Sequence, residues 1–368
     1  MPIERKNVSE DSLEKVIKAQ ITLEGPISLS TYMGLCLTHP KYGYYKNTDV
    51  LGKDGDFITA PEISQMFGEF IGLYIAQAWI DLGSPEKFNL VELGPGRGTL
   101  LEDAFRVFNK VEGLSDALQL NLLETNEVFV KLQAKKLGQY KPNWIKDINQ
   151  LQGDEIPLLI IANEFFDALP IKQFQKQDDK WFERAIGIKE DKLAWGLEPK
   201  PVPSESLPAN INDALNGSIW EVGFASLRLM SEISALIAKN GGAILAIDYG
   251  YAQTQTGDSF QALKNHEPVN VLEHIGKADL SSHVDFEALA KAASNAGAIA
   301  QPLKTQAEFL SLLGIEQRSE QLIKANPSLE EEITSAKKRL VSTDQMGSLF
   351  KVLSISSRDF NPFPFNSD

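Results

Sequence analysis

A ten-residue segment, VELGPGRGTL at positions 91–100, constrains the fold of this chain more than any other segment. It joins an apolar strand to a helix through three alternating glycines, Gly94, Gly96 and Gly98, and Glu92 stands two residues ahead of the first. Glycine adopts backbone conformations that other residues avoid, and a glycine loop at a helix N-terminus brings the main chain close to a ligand. The segment therefore predicts a ligand-binding loop at a strand-to-helix junction.

The spacing of these glycines differs from the dinucleotide-binding fingerprint. In that fingerprint two residues separate the second and third glycines. Here Pro95 and Arg97 each stand alone between neighbouring glycines. A nicotinamide-dependent oxidoreductase is therefore disfavoured, although the spacing alone leaves it open.

Strands alternate with helices beyond the loop, the pattern of a doubly wound parallel sheet. Residues 171–217 interrupt this pattern with three segments typical of antiparallel strands joined by polar turns. We predict an α/β, Rossmann-like domain over 86–368, with a β insertion at 171–217 after the fourth strand and a helical cap at about 256–345. Helices and lid loops are predicted for residues 1–85. The strands predicted for the main sheet lie at 90–93, 118–123, near 144–145, 158–162, 243–247 and 349–355.

Apolar residues at helical spacing, together with capping residues, predict the helices. A long helix is predicted from about residue 62 to residue 82. Ser218 and Glu221 have the spacing of a capping box, which predicts a helix from there to Lys239. Further helices are predicted at 11–24, 28–37, 284–296, 306–313 and 328–340.

Polar residues follow successive predicted strands, at the sheet edge where open α/β folds bind ligands. Glu124 follows the second strand, where an acid accepts hydrogen bonds from a ribose diol. Asp147 and Ile148 follow the third strand, where a polar and an apolar group would hold adenine. The glycine-rich loop at 52–62 has the composition of a shaped binding loop. Together these positions predict a site for a nucleotide-like cofactor. The residues that we expect to bind it are Glu92, Gly94, Pro95, Gly96, Gly98, Glu124, Asp147, Ile148, Asn163, Thr59 and Pro61.

Composition argues against several functional classes. The 368 residues carry a formal charge of −14, whereas nucleic-acid binders usually show a basic footprint. The single cysteine, Cys36, excludes an intrachain disulfide framework, and the four scattered histidines lack the spacing of a zinc site. No apolar run approaches the roughly 20 residues that span a bilayer, and residues 1–10 resemble neither a secretory signal nor a transit peptide. We therefore expect a cytoplasmic protein without membrane insertion, nucleic-acid partner or metal. The sequence does not predict the oligomeric state.

Five segments together resemble the MidA-like family of class I S-adenosylmethionine-dependent methyltransferases: residues 42–45, 55–65, 91–100, 163–170 and 279–286. Mitochondrial members of that family act as a complex I assembly factor and methylate arginine. The resemblance spans roughly Ile27 to Leu353. It implies a seven-stranded methyltransferase sheet, S-adenosylmethionine as the methyl donor, and symmetric dimethylation of a protein arginine, with a respiratory complex I subunit as the family-based substrate. Without a visible transit peptide, it points to a bacterial cytoplasmic protein.

Two carboxylates on the segment after the fourth strand are candidates for handling such an acceptor. Glu164 and Asp167 flank two phenylalanines, and Glu62 in the N-terminal loop is a third candidate. Carboxylates in a dry pocket can clamp a guanidinium, orient one nitrogen and accept a proton. Local capping of the next turn is the alternative for Glu164 and Asp167. For Glu62 the alternative is stabilisation of a helix N-terminus.

A different functional class also fits the sequence. An assembly chaperone that keeps a cofactor pocket but acts by binding a partner subunit would use the same lid loops and acidic surface. Small-molecule and nucleic-acid acceptors stay open as well, although no Asn-Pro-Pro-Tyr motif follows the fourth strand.

Overall fold

The computed structural model describes residues 12–46, 59–153 and 155–366. Its helices are α1 (Leu13–Glu24), α2 (Leu29–Thr38), α3 (Ala60–Ile63), α4 (Gln65–Asp81), α5 (Thr99–Phe108), α6 (Leu114–Ala117), α7 (Glu127–Leu137), α8 (Phe224–Asn240), α9 (Phe286–Asn295), α10 (Gln306–Leu312), α11 (Ile315–Ala325), α12 (Glu330–Val341) and α13 (Met346–Leu349). Its strands are β1 (Ile27–Ser28), β2 (Phe88–Leu93), β3 (Leu118–Leu123), β4 (Asn143–Ile145), β5 (Leu158–Asn163), β6 (Lys172–Gln177), β7 (Lys180–Lys189), β8 (Lys192–Pro201), β9 (Ile219–Val222), β10 (Gly242–Tyr251), β11 (Gln261–Lys264), β12 (Glu267–Val269), β13 (Asp279–Ser281), β14 (Val284–Asp285), β15 (Ile299–Ala300), β16 (Lys304–Thr305) and β17 (Phe350–Ser356).

These elements form two compact units, each built from discontinuous parts of the chain. The first unit contains the described residues of 12–46, 170–222 and 256–281. The second contains those of 59–169, 223–255 and 282–366. The glycine loop and all the candidate catalytic residues lie in the second unit.

The second unit is built on a mixed sheet with the strand order β15-β17-β10-β5-β2-β3-β4. The pairs from β10 to β4 are parallel, whereas β17 runs antiparallel to β10 and β15 antiparallel to β17. The predicted α/β fold is confirmed. Two-residue strands β14 and β16 pair with β10 and β17, so the described sheet has nine strands where seven are predicted.

Apolar sequence explains why β5 and β10 lie at the centre of this sheet. Strand β5 is aliphatic up to Asn163, and β10 has an aliphatic run at 243–247; both strands are buried along almost their whole length. Strands covered by helices on both faces show this pattern, because neither face meets water. One buried apolar layer includes residues of α4 and α5, and the opposite layer includes residues of α8 and α9.

Close packing against α4 fixes the position of α5, the helix that begins at the glycine loop. A Cβ atom at Gly68 would lie 2.6 Å from Cβ of Asp103, and one at Gly72 would lie 2.8 Å from the carbonyl oxygen of Ala104. Such distances are shorter than van der Waals contact, so only glycine allows the two helices to approach this closely.

The first unit contains the antiparallel strands predicted within 171–217. Its larger sheet has the order β1-β7-β6-β9, and β8 pairs with β7. A separate three-stranded sheet has the order β12-β11-β13. A small core of aromatic and aliphatic side chains includes Phe174 of β6, Trp181 of β7 and Trp220 of β9.

Two predicted helices differ from the structure. The helix predicted over 62–82 is two helices, because Ser64 is extended at φ −158° and its hydroxyl accepts a hydrogen bond from the backbone N–H of Met66. The helix predicted from Ser218 begins only at Phe224. Residues 219–222 form β9 instead, because the buried Glu221 carboxylate accepts hydrogen bonds from the backbone N–H groups of Ser259 and Phe260 rather than capping a helix.

The helical cap predicted at about 256–345 is helical only in its later part. Residues 261–281 include strands β11 to β13, and helices begin at Phe286. Helix α11 is absent from the prediction; it begins after Gly314, whose φ of +93° ends the preceding helix. Over the described residues, no helix is both long enough and apolar enough for a membrane crossing.

Candidate active site

The glycine loop lies between β2 and α5, and all three of its glycines have left-handed backbones. Their φ angles are +62° for Gly94, +50° for Gly96 and +76° for Gly98. The N–H of Gly98 donates to the carbonyl of Pro95 at 2.7 Å, which closes the turn. Other L-residues adopt this region only at a cost, so the sequence needs glycine at each position.

Glu124 follows β3 and is held against the glycine loop. Its Oε1 accepts hydrogen bonds from the backbone N–H groups of Thr125, at 2.8 Å, and Asn126, at 2.7 Å. Its Oε2 accepts from Nε2 of Gln133 at 3.2 Å, and the same Nε2 donates to the carbonyl of Gly96 at 2.8 Å. One side-chain amide therefore connects the carboxylate to the loop.

Gln133 is a functional candidate that the sequence reasoning missed. It is fully buried on α7, and its Oε1 accepts from the indole N–H of Trp144 at 2.8 Å, which fixes the orientation of the amide. The available signal was the spacing of Phe129, Gln133 and Leu137, which places one polar residue within an apolar helical stripe.

Asp147 and Ile148 follow β4, and the structure gives both a local structural role. Oδ1 of Asp147 accepts from the backbone N–H of Asn149 at 2.8 Å and caps the 3₁₀ turn Ile148–Leu151. The Asp147 side chain is exposed, whereas Ile148 is buried in the apolar layer beside α8 and α9. Contact of these two residues with an adenine ring stays a prediction.

Glu164 begins the turn after β5, in a strained backbone conformation with φ +49°. Its Oε1 accepts from the backbone N–H of Ala60 at 2.9 Å and from Nδ2 of Asn163 at 3.2 Å. Its Oε2 is buried without a hydrogen-bond partner. Burial raises the pKa of this carboxyl to about 8. Strained non-glycine residues of this kind concentrate at functional sites.

The aromatic residues after Glu164 bring the turn against the glycine loop. A Cβ atom at Gly94 would lie 2.8 Å from Cδ2 of Phe165, so the phenyl ring occupies the space that a side chain at this glycine would need. The rings of Phe165 and Phe166 meet edge to face, with centroids 5.6 Å apart. Gly94 therefore serves both the loop conformation and the contact with the neighbouring turn.

Asp167 ends the turn and interacts with two residues of β10. The hydroxyl of Tyr249 donates to Oδ2 of Asp167 at 2.7 Å, while Oδ1 is buried without a partner. Burial raises the pKa of Asp167 to about 6, although the Tyr249 hydrogen bond opposes that rise. Oδ2 of Asp248 accepts from the backbone N–H groups of Phe166, at 3.0 Å, and Asp167, at 3.2 Å. Burial and the nearby charges of Asp167 and Glu164 raise the pKa of Asp248.

The segment around α3 contacts both the turn that contains Glu164 and the start of α5. Thr59 precedes α3 without capping it through its side chain, and Pro61 lies in its first turn. Glu62 accepts a hydrogen bond from the hydroxyl of Thr99, the first residue of α5, at 2.9 Å. Nζ of Lys136 donates to that same hydroxyl at 2.9 Å. Glu62 therefore lies beside the glycine loop. Residues 52–58 of the predicted binding loop fall outside the described residues.

Unpartnered acceptors concentrate in this region. Across the described ranges, six buried side-chain oxygens lack a hydrogen-bond partner, and four belong to Glu92, Asn163, Glu164 and Asp167. Glu92 is buried within β2, and burial raises its pKa to about 8. An unsatisfied buried acceptor costs about 1–3 kcal/mol, so a cluster of them fits a ligand rich in N–H and O–H donors. No group of three or more metal-ligating side chains within the described ranges could hold a metal ion.

Comparisons with known proteins show which family this chain resembles in sequence. Residues 70–303 match a family described as S-adenosyl-L-methionine-dependent methyltransferase. The protein named "Protein arginine methyltransferase NDUFAF7, mitochondrial" of Danio rerio is 34% identical over 94% of this chain and 86% of its own length. Its Homo sapiens counterpart is 33% identical over 91% of this chain and 81% of its own length.

A solved structure shows the same fold. The crystal structure of a protein from Burkholderia thailandensis bound to S-adenosyl-homocysteine superposes with a TM-score of 0.82. It is 25% identical, and the match covers 94% of this chain and 91% of that chain. The expectation of a cytoplasmic location is wrong on these comparisons, because the curated relatives are named as mitochondrial proteins.

Proposed function

The chain belongs to the MidA-like family of S-adenosylmethionine-dependent methyltransferases, and we propose that its methyl acceptor is an arginine side chain of a protein. The observation that carries this proposal is the pair of buried, unpartnered carboxylate oxygens on one turn, Oε2 of Glu164 and Oδ1 of Asp167. The names of the curated relatives support the same acceptor.

The acceptors beside the glycine loop fit S-adenosylmethionine, which supplies a methyl group activated on a sulfonium when it is bound. We assign the ribose hydroxyls to Glu124, because Gln133 holds its carboxylate beside Gly96. Glu92 and Asn163 offer buried, unpartnered oxygens to the donor's N–H and O–H groups. Thr59, Pro61, Asp147 and Ile148 complete the proposed donor site.

An arginine acceptor fits the two carboxylates of the turn. A guanidinium stays protonated in proteins and carries five N–H donors in a planar fork. Asp167, with a pKa of about 6, is mostly ionised near neutral pH, so it supplies the negative charge that pairs with the cation. The chain's net charge of −14 also favours approach by a cationic segment of a partner.

The difference between the two pKa values separates the roles of the carboxyl groups. Methylation of a guanidinium nitrogen replaces one N–H bond with an N–C bond and releases one proton. Burial raises the pKa of Glu164 to about 8, so the ionised form of Glu164 is the stronger base of the two, and the fraction that can accept the released proton grows as pH rises toward 8. Pairs of titratable groups with separated pKa values commonly divide acid–base work in this way. Glu62 accepts a hydrogen bond from the hydroxyl of Thr99 at the start of α5. It is a third candidate for binding the acceptor.

We further propose, from the family resemblance, that the product is symmetric dimethylarginine and that the substrate is a subunit of respiratory complex I. Quantitative mass spectrometry of arginine-methylated peptides, in cells with and without this protein, tests the acceptor. Peptides that lose methyl-arginine on deletion and regain it with the wild-type chain, but not with Asp167→Asn, would support the proposal. Unchanged methyl-arginine in every detected peptide would contradict it. Rescue of complex assembly by Gly96→Trp, which fills the donor loop, would instead favour the chaperone alternative.

A further inference from the structure

We infer that Tyr249 is the positioning residue of Asp167: its hydroxyl selects which carboxylate oxygen faces the acceptor and keeps that carboxylate ionised. This inference rests on the proposed arginine acceptor. Tyr249 is a buried residue of β10, and its hydroxyl lies 2.7 Å from Oδ2 of Asp167. Because a hydrogen bond between a hydroxyl and a carboxylate is strong and directional, it orients the carboxylate and leaves Oδ1 for the ligand.

Separate contacts fix the backbone and the side chain of Asp167. The Asp248 carboxylate accepts from the backbone N–H groups of Phe166 and Asp167, and the carbonyl of Asp167 accepts from the N–H of Ser282 at 3.1 Å. These bonds hold the turn but do not set the rotation of the Asp167 carboxylate. Tyr249 supplies a side-chain hydrogen bond to that carboxylate, which also interacts with the backbone N–H of Ala168. Two consecutive residues of one strand therefore position the same turn.

Ring packing holds the Tyr249 hydroxyl in place. The ring meets Phe350 edge to face at a centroid distance of 5.5 Å, and it meets His283 in the same way at 5.5 Å. Tyr249 is only 5% exposed, so its hydroxyl does not exchange freely with water. A donor held this rigidly pays little conformational entropy when the ligand arrives.

The charges around Asp167 explain why this donor matters. Asp248 on β10 and Glu164 on the same turn are carboxyl groups that disfavour a further negative charge. His283 faces the Tyr249 ring, burial and Lys351 lower its pKa, and it therefore contributes little positive charge near neutral pH. The positive charge of Arg339 on α12 lowers the pKa of Glu164. The Tyr249 hydroxyl and the neighbouring N–H of Ala168 favour the ionised form of Asp167 and lower its pKa.

Tyr249→Phe tests the inference, and Tyr74→Phe is its matched control. Tyr74 is buried in the same unit, and its hydroxyl lies 3.1 Å from the hydroxyl of Ser354, away from the turn. The first readout is the difference in Tm between each variant and the wild type from pH 5 to pH 8. The raised pKa of Asp167 means that stability is lost as pH rises through about 6. Without the hydroxyl the pKa is higher, so the Tm deficit of Tyr249→Phe should grow with pH.

A purely structural hydrogen bond would give a deficit independent of pH, as expected for Tyr74→Phe, and that result would overturn the inference. If Tyr249→Phe does not fold, Asp167→Asn supplies the test. Because Asp167→Asn removes the titrating group, the part of the wild-type decrease in Tm with pH that we attribute to Asp167 should be absent from this variant. A dependence of Tm on pH equal to that of the wild type would again overturn the inference.

The second readout is transfer of labelled methyl groups from S-adenosylmethionine to arginine in a protein extract of cells that lack this chain. For Tyr249→Phe we expect about a tenfold or greater loss of rate at pH 7. The acid limb of its pH–rate profile should shift upward by about one pH unit. Both effects follow from the loss of one hydrogen bond to a charged group. Binding of S-adenosylhomocysteine should not change. Wild-type rate and pH profile in this variant would contradict the inference. Absence of methyl-arginine from the wild-type reaction would instead contradict the proposed acceptor, and the Tm profile would still decide the role of Tyr249.

Discussion

Replacing Glu164 with glutamine should stabilise the protein at alkaline pH while it abolishes methyl transfer. The folded-state pKa of Glu164 is about 8, against an ordinary value of 4.5, because burial disfavours its charge. The folded state therefore binds a proton more tightly than the unfolded state. The stability associated with Glu164 is full below the unfolded pKa and is lost as pH rises toward 8, at a cost of about 3 kcal/mol at pH 7 and about 4 kcal/mol at pH 8.

Glutamine removes this titration and keeps an oxygen for the N–H of Ala60 and for Nδ2 of Asn163. Its Nε2 takes the position of the unpartnered Oε2, where a buried donor without a partner costs about 1–3 kcal/mol. The net gain is therefore about 1–3 kcal/mol at pH 8, and at pH 5 the gain disappears or becomes a loss. A gain of that size raises the Tm by several degrees.

Differential scanning calorimetry at pH 5 and pH 8 measures the effect, and methyl transfer is assayed on the same samples. Glu92→Gln is a matched comparison, because burial also raises the pKa of Glu92 to about 8. It should gain stability with pH in the same way, but it should weaken S-adenosylhomocysteine binding, which Glu164→Gln should leave intact. A Glu164→Gln protein with wild-type transfer, or with the same change in Tm at both pH values, would refute the reasoning.

Other substitutions test the donor side of the site. Gly98→Ala should weaken S-adenosylhomocysteine binding by roughly tenfold, because the residue has φ +76° and the new Cβ would lie 3.3 Å from Cδ1 of Leu137. Gly138→Ala is its control in calorimetric titration, since that glycine has φ −56° and open space around it; equal affinities of the two variants would contradict the role of the loop. Gln133→Leu removes the donor to Gly96 and Glu124 and leaves the indole N–H of Trp144 unpaired, so it should lower both the Tm and the donor affinity. Wild-type values for both in this variant would show that the amide does not organise the site.

The sequence predicts those parts of the site that depend on local pattern. Apolar runs and glycine spacing predict β2, β5 and the loop between β2 and α5, because strand burial and left-handed turns restrict residue type locally. The same logic places Glu124, Glu164 and Asp167 at strand ends. The parallel sheet then brings those ends to one edge.

The residues that were missed or misassigned depend on distant partners. Glu221 completes a capping-box pattern, yet its carboxylate bonds Ser259 and Phe260, which lie almost forty residues further along the chain. The pairing of Gln133 with Glu124 and Gly96, and that of Tyr249 with Asp167, arise only when the strands assemble. Periodicity carries no information about which buried polar side chains meet, so these contacts require the folded structure.

Isothermal titration calorimetry with S-adenosylhomocysteine tests the central claim most directly, on the wild type and on Glu124→Gln. We predict a single site in the wild type and binding at least about tenfold weaker in the variant, because the amide removes the charged acceptor assigned to the ribose hydroxyls. No binding heat in the wild type, or equal affinity in the two proteins, would contradict a donor held between the glycine loop and Glu124.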